Sequence, residues 1–244
     1  MSRVSFENYG QISRDNKEKS YTLLAGRLKN QEESERCIFQ DVIKKLEITS
    51  SDKVLDIGSG PGNIAIPLSF ICEEMTVVDH QDVLLKLKDR CNGINNLSFL
   101  DGNFIDMHID KKFDKIIVYS VLHYLKNNNE VIDFILKAIS MLEVGGLALF
   151  GDIPNISKKE RFSKGQFGKD FISKWNKISP PNSLKINNLK QDNQNVVFDD
   201  NAVMSIIKKV RLSGFHAYIL QQKSGLPFCY SREDILVVHP DSAK

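Results

Sequence analysis

Apolar residues along this chain fall into two rhythms. Short apolar runs at residues 53–57, 75–79, 97–100, 113–119, 146–151, 215–222 and 234–239 read as strands. Residues 62–72, 81–92, 128–143 and 200–213 space their apolar positions as helices do. An amphipathic helix is predicted over residues 31–47, where Cys37, Ile38, Val42, Ile43 and Leu46 recur among charges. Thr49-Ser50-Ser51-Asp52 then forms a turn, and Val144-Gly145-Gly146 stops a helix just before the apolar run from Leu147 to Phe150. Strands alternating with helices predict an α/β fold: a doubly wound, seven-stranded, mostly parallel sheet with helices on both faces. Lys223 to Glu233, the link between the last two strands, is broken by Gly225 and Pro227 and leaves no room for a crossover helix. Those strands therefore pair antiparallel, and the sheet ends with an antiparallel last strand.

Two stretches stand outside the alternation. Residues 1–47 are predicted to form an N-terminal helical cap that contributes to a lid, leaving residues 48–244 as the main domain. Residues 153–198 interrupt that domain after the fifth strand, with Pro154, Pro180 and Pro181, many Lys and Asn, and the aromatics Phe162, Phe167, Phe171 and Trp175. A long insertion at a strand end is a common place for an active-site lid.

Composition removes several classes of function. At 244 residues and 41% hydrophobic, the chain buries a core as one large domain with an elaboration. A net charge of +2 does not call for a nucleic-acid partner. Cys37, Cys72, Cys91 and Cys229 are scattered without metal-ligand or disulfide spacing, and the five histidines have none either, so reduced thiols and no metal are expected. No apolar run approaches the roughly 20 residues that span a bilayer. Met1 to Glu7 lacks a signal-peptide core, so a cytoplasmic location is expected.

The chemistry is concentrated in Val54-Leu55-Asp56-Ile57-Gly58-Ser59-Gly60-Pro61-Gly62-Asn63. A buried strand ending in an acid and turning through three alternate glycines brings bare backbone N–H groups up to a small ligand. About twenty residues on, the strand Met75-Thr76-Val77-Val78 ends in Asp79, a carboxylate suited to two adjacent hydroxyls of a ribose.

These residues resemble the class I S-adenosylmethionine-dependent methyltransferases, whose fold is Rossmann-like. The resemblance spans roughly residues 38–239 and is strongest over 53–153. Asp56-Ile57-Gly58-Ser59-Gly60-Pro61-Gly62 matches the family's acidic G-x-G-x-G motif, which differs from the G-x-G-x-x-G of nicotinamide and flavin sites. It implies S-adenosylmethionine as the cofactor, with Asp56 at its amino group, Gly58, Ser59, Gly60, Gly62 and Asn63 around its methionine part, and Asp79 and His80 at its ribose. Gly102-Asn103-Phe104 falls where the family usually reads G-D. Asn103, or Asp101 in the alternative register, would contact the adenine amino group, and Phe104 its face. Phe113-Asp114 to Leu122-His123-Tyr124-Leu125 matches a fourth segment, which places Ser120 beside the cofactor.

The catalytic residues leave a weaker mark. His123 titrates near neutrality and is a candidate base, although family members carry a histidine there whatever their substrate. Asp152, just past the fifth strand, is the other candidate. Tyr9, Tyr21, Tyr124, Phe167 and Trp175 are candidate substrate contacts. Phe167, Phe171 and Trp175 are spaced by four, which equally suits plain helical packing, and the lysines around them equally suit a solvated face. The expected activity is methyl transfer to O or N of a small polar metabolite such as a sugar or nucleotide-linked sugar. RNA or protein methylation, or cofactor binding without catalysis, are the alternatives.

Overall fold

The computed structural model describes residues 6–15, 20–178 and 196–242. Its centre is a seven-stranded sheet of β1 (Lys53–Ile57), β2 (Glu74–Asp79), β3 (Leu97–Asp101), β4 (Phe113–Tyr119), β5 (Leu142–Pro154), β6 (His216–Gln221) and β7 (Arg232–Val238). The spatial order is β3-β2-β1-β4-β5-β7-β6. The first five strands are parallel, and β7 runs antiparallel between β5 and β6. This is the doubly wound, Rossmann-like arrangement, with its chain order reversing at β1 and β4. A crevice opens at such a point beyond the carboxyl ends of the strands.

Both faces of the sheet are covered, so its central strands are apolar at nearly every position. Alternate residues feed the two cores, as the period of two demands. Leu55, Ile57, Ile116, Val118, Ala148 and Phe150 face α7 (Asn128–Ile139) and α10 (Asp200–Leu212). Val54, Ile117, Leu147 and Leu149 face α4 (Ile38–Leu46), α5 (Ala65–Ser69) and α6 (Gln81–Lys88).

Several predicted boundaries shift; the helix expected over residues 81–92, for one, ends at Lys88. The helix expected over residues 31–47 breaks at Cys37 into α3 (Glu32–Arg36) and α4. The helix after the glycine turn shrinks to α5, because residues 62–64 are spent in the turn. The helix expected over 128–143 ends at Ile139, because Leu142 pairs with Phe113 and Phe113 N–H donates to the Met141 carbonyl at 2.9 Å. The sheet thus takes residues 142–144, and Gly145 absorbs the irregularity at φ 80°.

Ahead of the sheet lie α1 (Phe6–Asp15) and α2 (Tyr21–Leu24). Gly10 lets α1 lie directly on the ring of His80, where any side chain would collide. Arg14 pairs with Asp82 at 3.1 Å, and Ser13 Oγ donates to the Asp82 carbonyl at 3.2 Å. After β5, α8 (Ile156–Lys164) and α9 (Gln166–Ile178) carry the first part of the 153–198 insertion. Residues 179–195, which complete the segment predicted as a lid, lie outside the described residues.

Candidate functional site

A cavity of about 360 Å³ opens at the reversal point. Its floor is the turn after β1. Gly58 sits at φ 78° and Gly60 at φ 56°, conformations that favour glycine. A Cβ on Gly58 would strike Val121, whereas no atom lies within 4 Å of one built on Gly60. Gly60 is therefore bare for the sake of the space above it. Asp79 ties the turn to β2, its Oδ2 accepting from Gly60 N–H and its Oδ1 from His80 N–H, both at 2.7 Å.

Two acids share this end, with His80 the basic group that acts on Asp79. Burial, reinforced by Asp79, pushes the Asp56 carboxyl up to about 8. Burial also raises Asp79, and the N–H groups of His80 and Gly60 hold that rise to about 6. Among the described residues Asp56 Oδ2 and Ser59 Oγ have no hydrogen-bond partner. Buried polar atoms in that condition call for a ligand or water. An ammonium beside Asp56 and vicinal hydroxyls beside Asp79 meet the requirement, so the residues fit the cofactor that the motif implies.

Asn103 and Phe104 line the cavity beyond Asp79, together with Gly102 and Ile105. Asn103 donates to Asp106 at 3.0 Å, leaving its carbonyl oxygen shared only with Ile105 N–H at 3.3 Å. Asp101 is exposed on β3 and outside the cavity lining, so Asn103 is the member of the pair that faces it. Phe104 is buried against Phe134, ring centres 4.9 Å apart.

The N-terminal segment roofs the cavity from the glycine turn across to the other end, at β4 and β5. Tyr9, Leu24, Ala25, Arg27, Glu35 and Ile38 all line the cavity. Tyr9 meets Tyr124 edge to face at 5.4 Å. Asn63 fastens this segment to the glycine turn by donating to the Tyr21 carbonyl at 3.2 Å and to Glu35 Oε1 at 2.6 Å. Arg90 secures the same joint. It donates to Pro61 O and to Asn63 Oδ1, and its guanidinium lies 4.0 Å from the Tyr21 ring centre.

Sequence reasoning missed the centre of this end, which is Arg27. Buried to 5% exposure, it donates to Asp152 Oδ2 at 2.9 Å and to Ser120 Oγ at 2.6 Å. Ser120 Oγ in turn donates to Asp152. Ser120 (φ 62°) and Asp152 (φ 59°) both hold left-handed backbone at the ends of β4 and β5. Such strain in residues other than glycine collects at functional sites. Burial alone would raise Asp152, but Arg27, then Arg232, Ser120 and His123, hold it below the usual carboxylate range. A network beneath fixes its backbone: Asp234 Oδ1 accepts from Asp152 N–H at 2.8 Å and from Gln222 at 3.0 Å, while Oδ2 takes Lys45 at 2.6 Å. The only local signal for Arg27 is Gly26 before it, at φ 75°.

The other nominated residues lie elsewhere. Gly62 packs on Leu87 and Ile66, outside the lining. His80 caps α6, accepting from Asp82 N–H at 3.1 Å, and takes the weight of α1. Tyr21 holds Arg90 outside the lining. His123 stacks on Tyr124 at 4.2 Å, one layer behind the wall. Asp152 is likewise behind the wall, and its ion pairs make it a poor proton acceptor. Phe167 and Trp175 belong to an aromatic cluster with Phe162, Phe171, Phe228 and Tyr230, away from the cavity. Their spacing by four serves packing, as the plainer of its two readings has it.

The glycine turn, the strand-end acids and the strand order define the class I S-adenosylmethionine-dependent methyltransferase fold. The family model of nodulation protein S (NodS) matches residues 33–164, and the chain belongs to that family. Among curated relatives, an uncharacterized methyltransferase of Staphylococcus carnosus is 28% identical over 88 residues, 36% of this chain and 41% of that protein. The ubiquinone biosynthesis O-methyltransferase of Rickettsia akari is 26% identical over 125 residues, 50% of this chain and 48% of its own length. The chain thus spans less than half the length of these curated relatives. Among solved structures, the N-methyltransferase NodS from Bradyrhizobium japonicum, in complex with S-adenosylhomocysteine, superposes with a TM-score of 0.62 at 14% identity, covering 96% of this chain and 98% of that one. A Haemonchus contortus phosphoethanolamine N-methyltransferase gives a TM-score of 0.67 at 16% identity, covering 96% and 48%. At these identities the structural likeness bears on the fold alone.

Proposed function

We propose that the protein binds S-adenosylmethionine in this cavity and transfers its methyl group to nitrogen or oxygen of a small polar acceptor, of the sugar or nucleotide-linked sugar kind. The observation that carries the reading is one cavity with unsatisfied Asp56 at the floor and Asp79 locked onto Gly60 beside it. In this reading Asp56 receives the ammonium, and the backbone of Gly58, Ser59 and Gly60 cradles the methionine part. Asp79 accepts both ribose hydroxyls, while Asn103 and Phe104 hold the adenine. Ser120, Tyr9 and Tyr124 stand at the acceptor end, under a cap formed by residues 20–38.

The bound cofactor supplies a methyl group already activated on a sulfonium. What this chain contributes is alignment and exclusion of water. Holding two reactants in line supplies about 7–11 kcal/mol of barrier reduction. The Tyr9–Tyr124 pair, the buried Arg27 and the cap are the parts that exclude solvent. Of the two nominated bases, His123 is the one left to take a proton, and it meets the wall residue Tyr124 ring against ring. Asp152 is committed to its arginines.

Calorimetric titration with S-adenosylmethionine tests the reading. Binding is expected in the wild type, weakened at least tenfold by Asp79→Ala. Unchanged affinity in that variant would sink the ribose assignment, and no binding by the wild type would sink the function.

A further inference from the structure

We propose that Arg27 is the recognition residue for an anionic group, a carboxylate or phosphate, carried by the methyl acceptor. This rests on the methyltransferase reading and narrows the acceptor class. Arg27 reaches the cavity wall with its guanidinium only partly engaged. Nη1 serves Asp152 and Nη2 serves Ser120. Nε has no partner among the described residues, although the side chain is buried. A guanidinium has five donors, and the edge formed by Nε and Nη2 matches a two-oxygen anion. A buried donor left in this way costs stability unless a ligand or water satisfies it.

The surrounding charge agrees. Asp152 is shared by two arginines, since Arg232 Nε lies 3.6 Å from Oδ1 and Arg232 Nη1 is 3.4 Å from the Asp152 carbonyl. At Asp152 itself two arginines face one carboxylate, while beneath it Lys45 is shared by Asp234 and Asp41. Glu35, the other acid that acts on Arg27, is bonded to Asn63 and faces Arg90. Arg27 also belongs to the acceptor end. Ser120 and Asp152 hold it at the ends of β4 and β5, whereas Asp56 lies in β1 just before the glycine turn. The ligand's ammonium and the carboxylate on the same carbon belong beside Asp56, which leaves Arg27 for a second molecule.

The test uses protein saturated with S-adenosylhomocysteine and titrated calorimetrically with benzoate and inorganic phosphate, with neutral benzamide as the matched control. At least one anion is expected to bind and benzamide not to bind. Arg27→Met should weaken anion binding at least tenfold while changing S-adenosylhomocysteine affinity less than threefold. A tenfold loss of S-adenosylhomocysteine affinity would instead assign Arg27 to the cofactor's own carboxylate and overturn the proposal. Anion binding that ignores the substitution, or no anion binding by the wild type, overturns it as well. Circular dichroism checks that the variant folds. If Arg27→Met does not fold, Arg27→Lys keeps the charge and loses the fork, and is expected to cost benzoate binding at least fivefold; an unchanged benzoate affinity overturns the proposal. Failure of the wild type to bind S-adenosylhomocysteine would be a failure of the methyltransferase reading, and appears in the first titration, before any anion is added.

Discussion

The two ends of the cavity handle buried charge in opposite ways. At the β1–β2 end, Asp56 and Asp79 are buried with no arginine or lysine paired to them among the described residues, and their carboxyls rise to about 8 and about 6. At the β4–β5 end, Asp152 is buried as deeply but lies between Arg27 and Arg232, and falls below the ordinary range. The first end leaves its counter-charge to a ligand. The second takes its counter-charge from the protein's own N-terminal segment, 125 residues away in sequence. One end is thus short of a counter-charge, and the other is a joint between the N-terminal segment and the sheet that still leaves Arg27 Nε without a partner among the described residues.

That contrast is sharpest in stability. Asp152→Ala leaves Arg27 buried with only Ser120, and removing one partner of a buried pair costs about 3–5 kcal/mol. Urea unfolding is expected to show a loss of that size, and a loss below about 1 kcal/mol would erase the distinction between the two ends. Acidity is the next test. In the ligand-free protein a raised Asp56 keeps its proton after the unfolded chain has released its own near pH 4. Folded stability contributed by this group is therefore fully present below about pH 4 and is lost as pH rises toward 8. Melting temperatures from pH 5 to 8 should fall more steeply in the wild type than in Asp56→Asn. Cofactor affinity runs the other way, rising with pH over the same window by at most about tenfold per unit for each proton released. A flat profile would mean that the acids are not as isolated as their surroundings imply. The smallest effect belongs to the aromatic cluster. Phe167 is 63% exposed and outside the lining, so Phe167→Ser is expected to change cofactor affinity less than twofold in calorimetry. A larger change would bring α9 into the site.

Legibility in the sequence follows the same divide. β1 and β4 were readable to the residue because each is a short apolar run bounded by polar turns, buried on both faces. The acids that end β1 and β2 and the glycines between them are local signals, fixed within about ten residues of a strand end. Arg27 has no such signal: its meaning depends on Ser120 and Asp152, brought to it only by the folded sheet and cap. The extension of β5 to Leu142 was unreadable for a related reason. Tertiary pairing with Phe113 outbid a helical pattern that was sound by itself. His80 shows the converse, a residue beside the motif whose neighbours Gly10 and Asp82 give it a structural task.

Asn63 joins the glycine turn to the cap, so a ligand held over that turn is expected to affect the cap as well. The dwell time of a ligand is then expected to depend on this amide as well as on the contacts made to the ligand itself. Asn63→Ala should accordingly speed S-adenosylhomocysteine release in stopped-flow several-fold more than it slows association. An equal change in both rates would mean that the cap opens elsewhere.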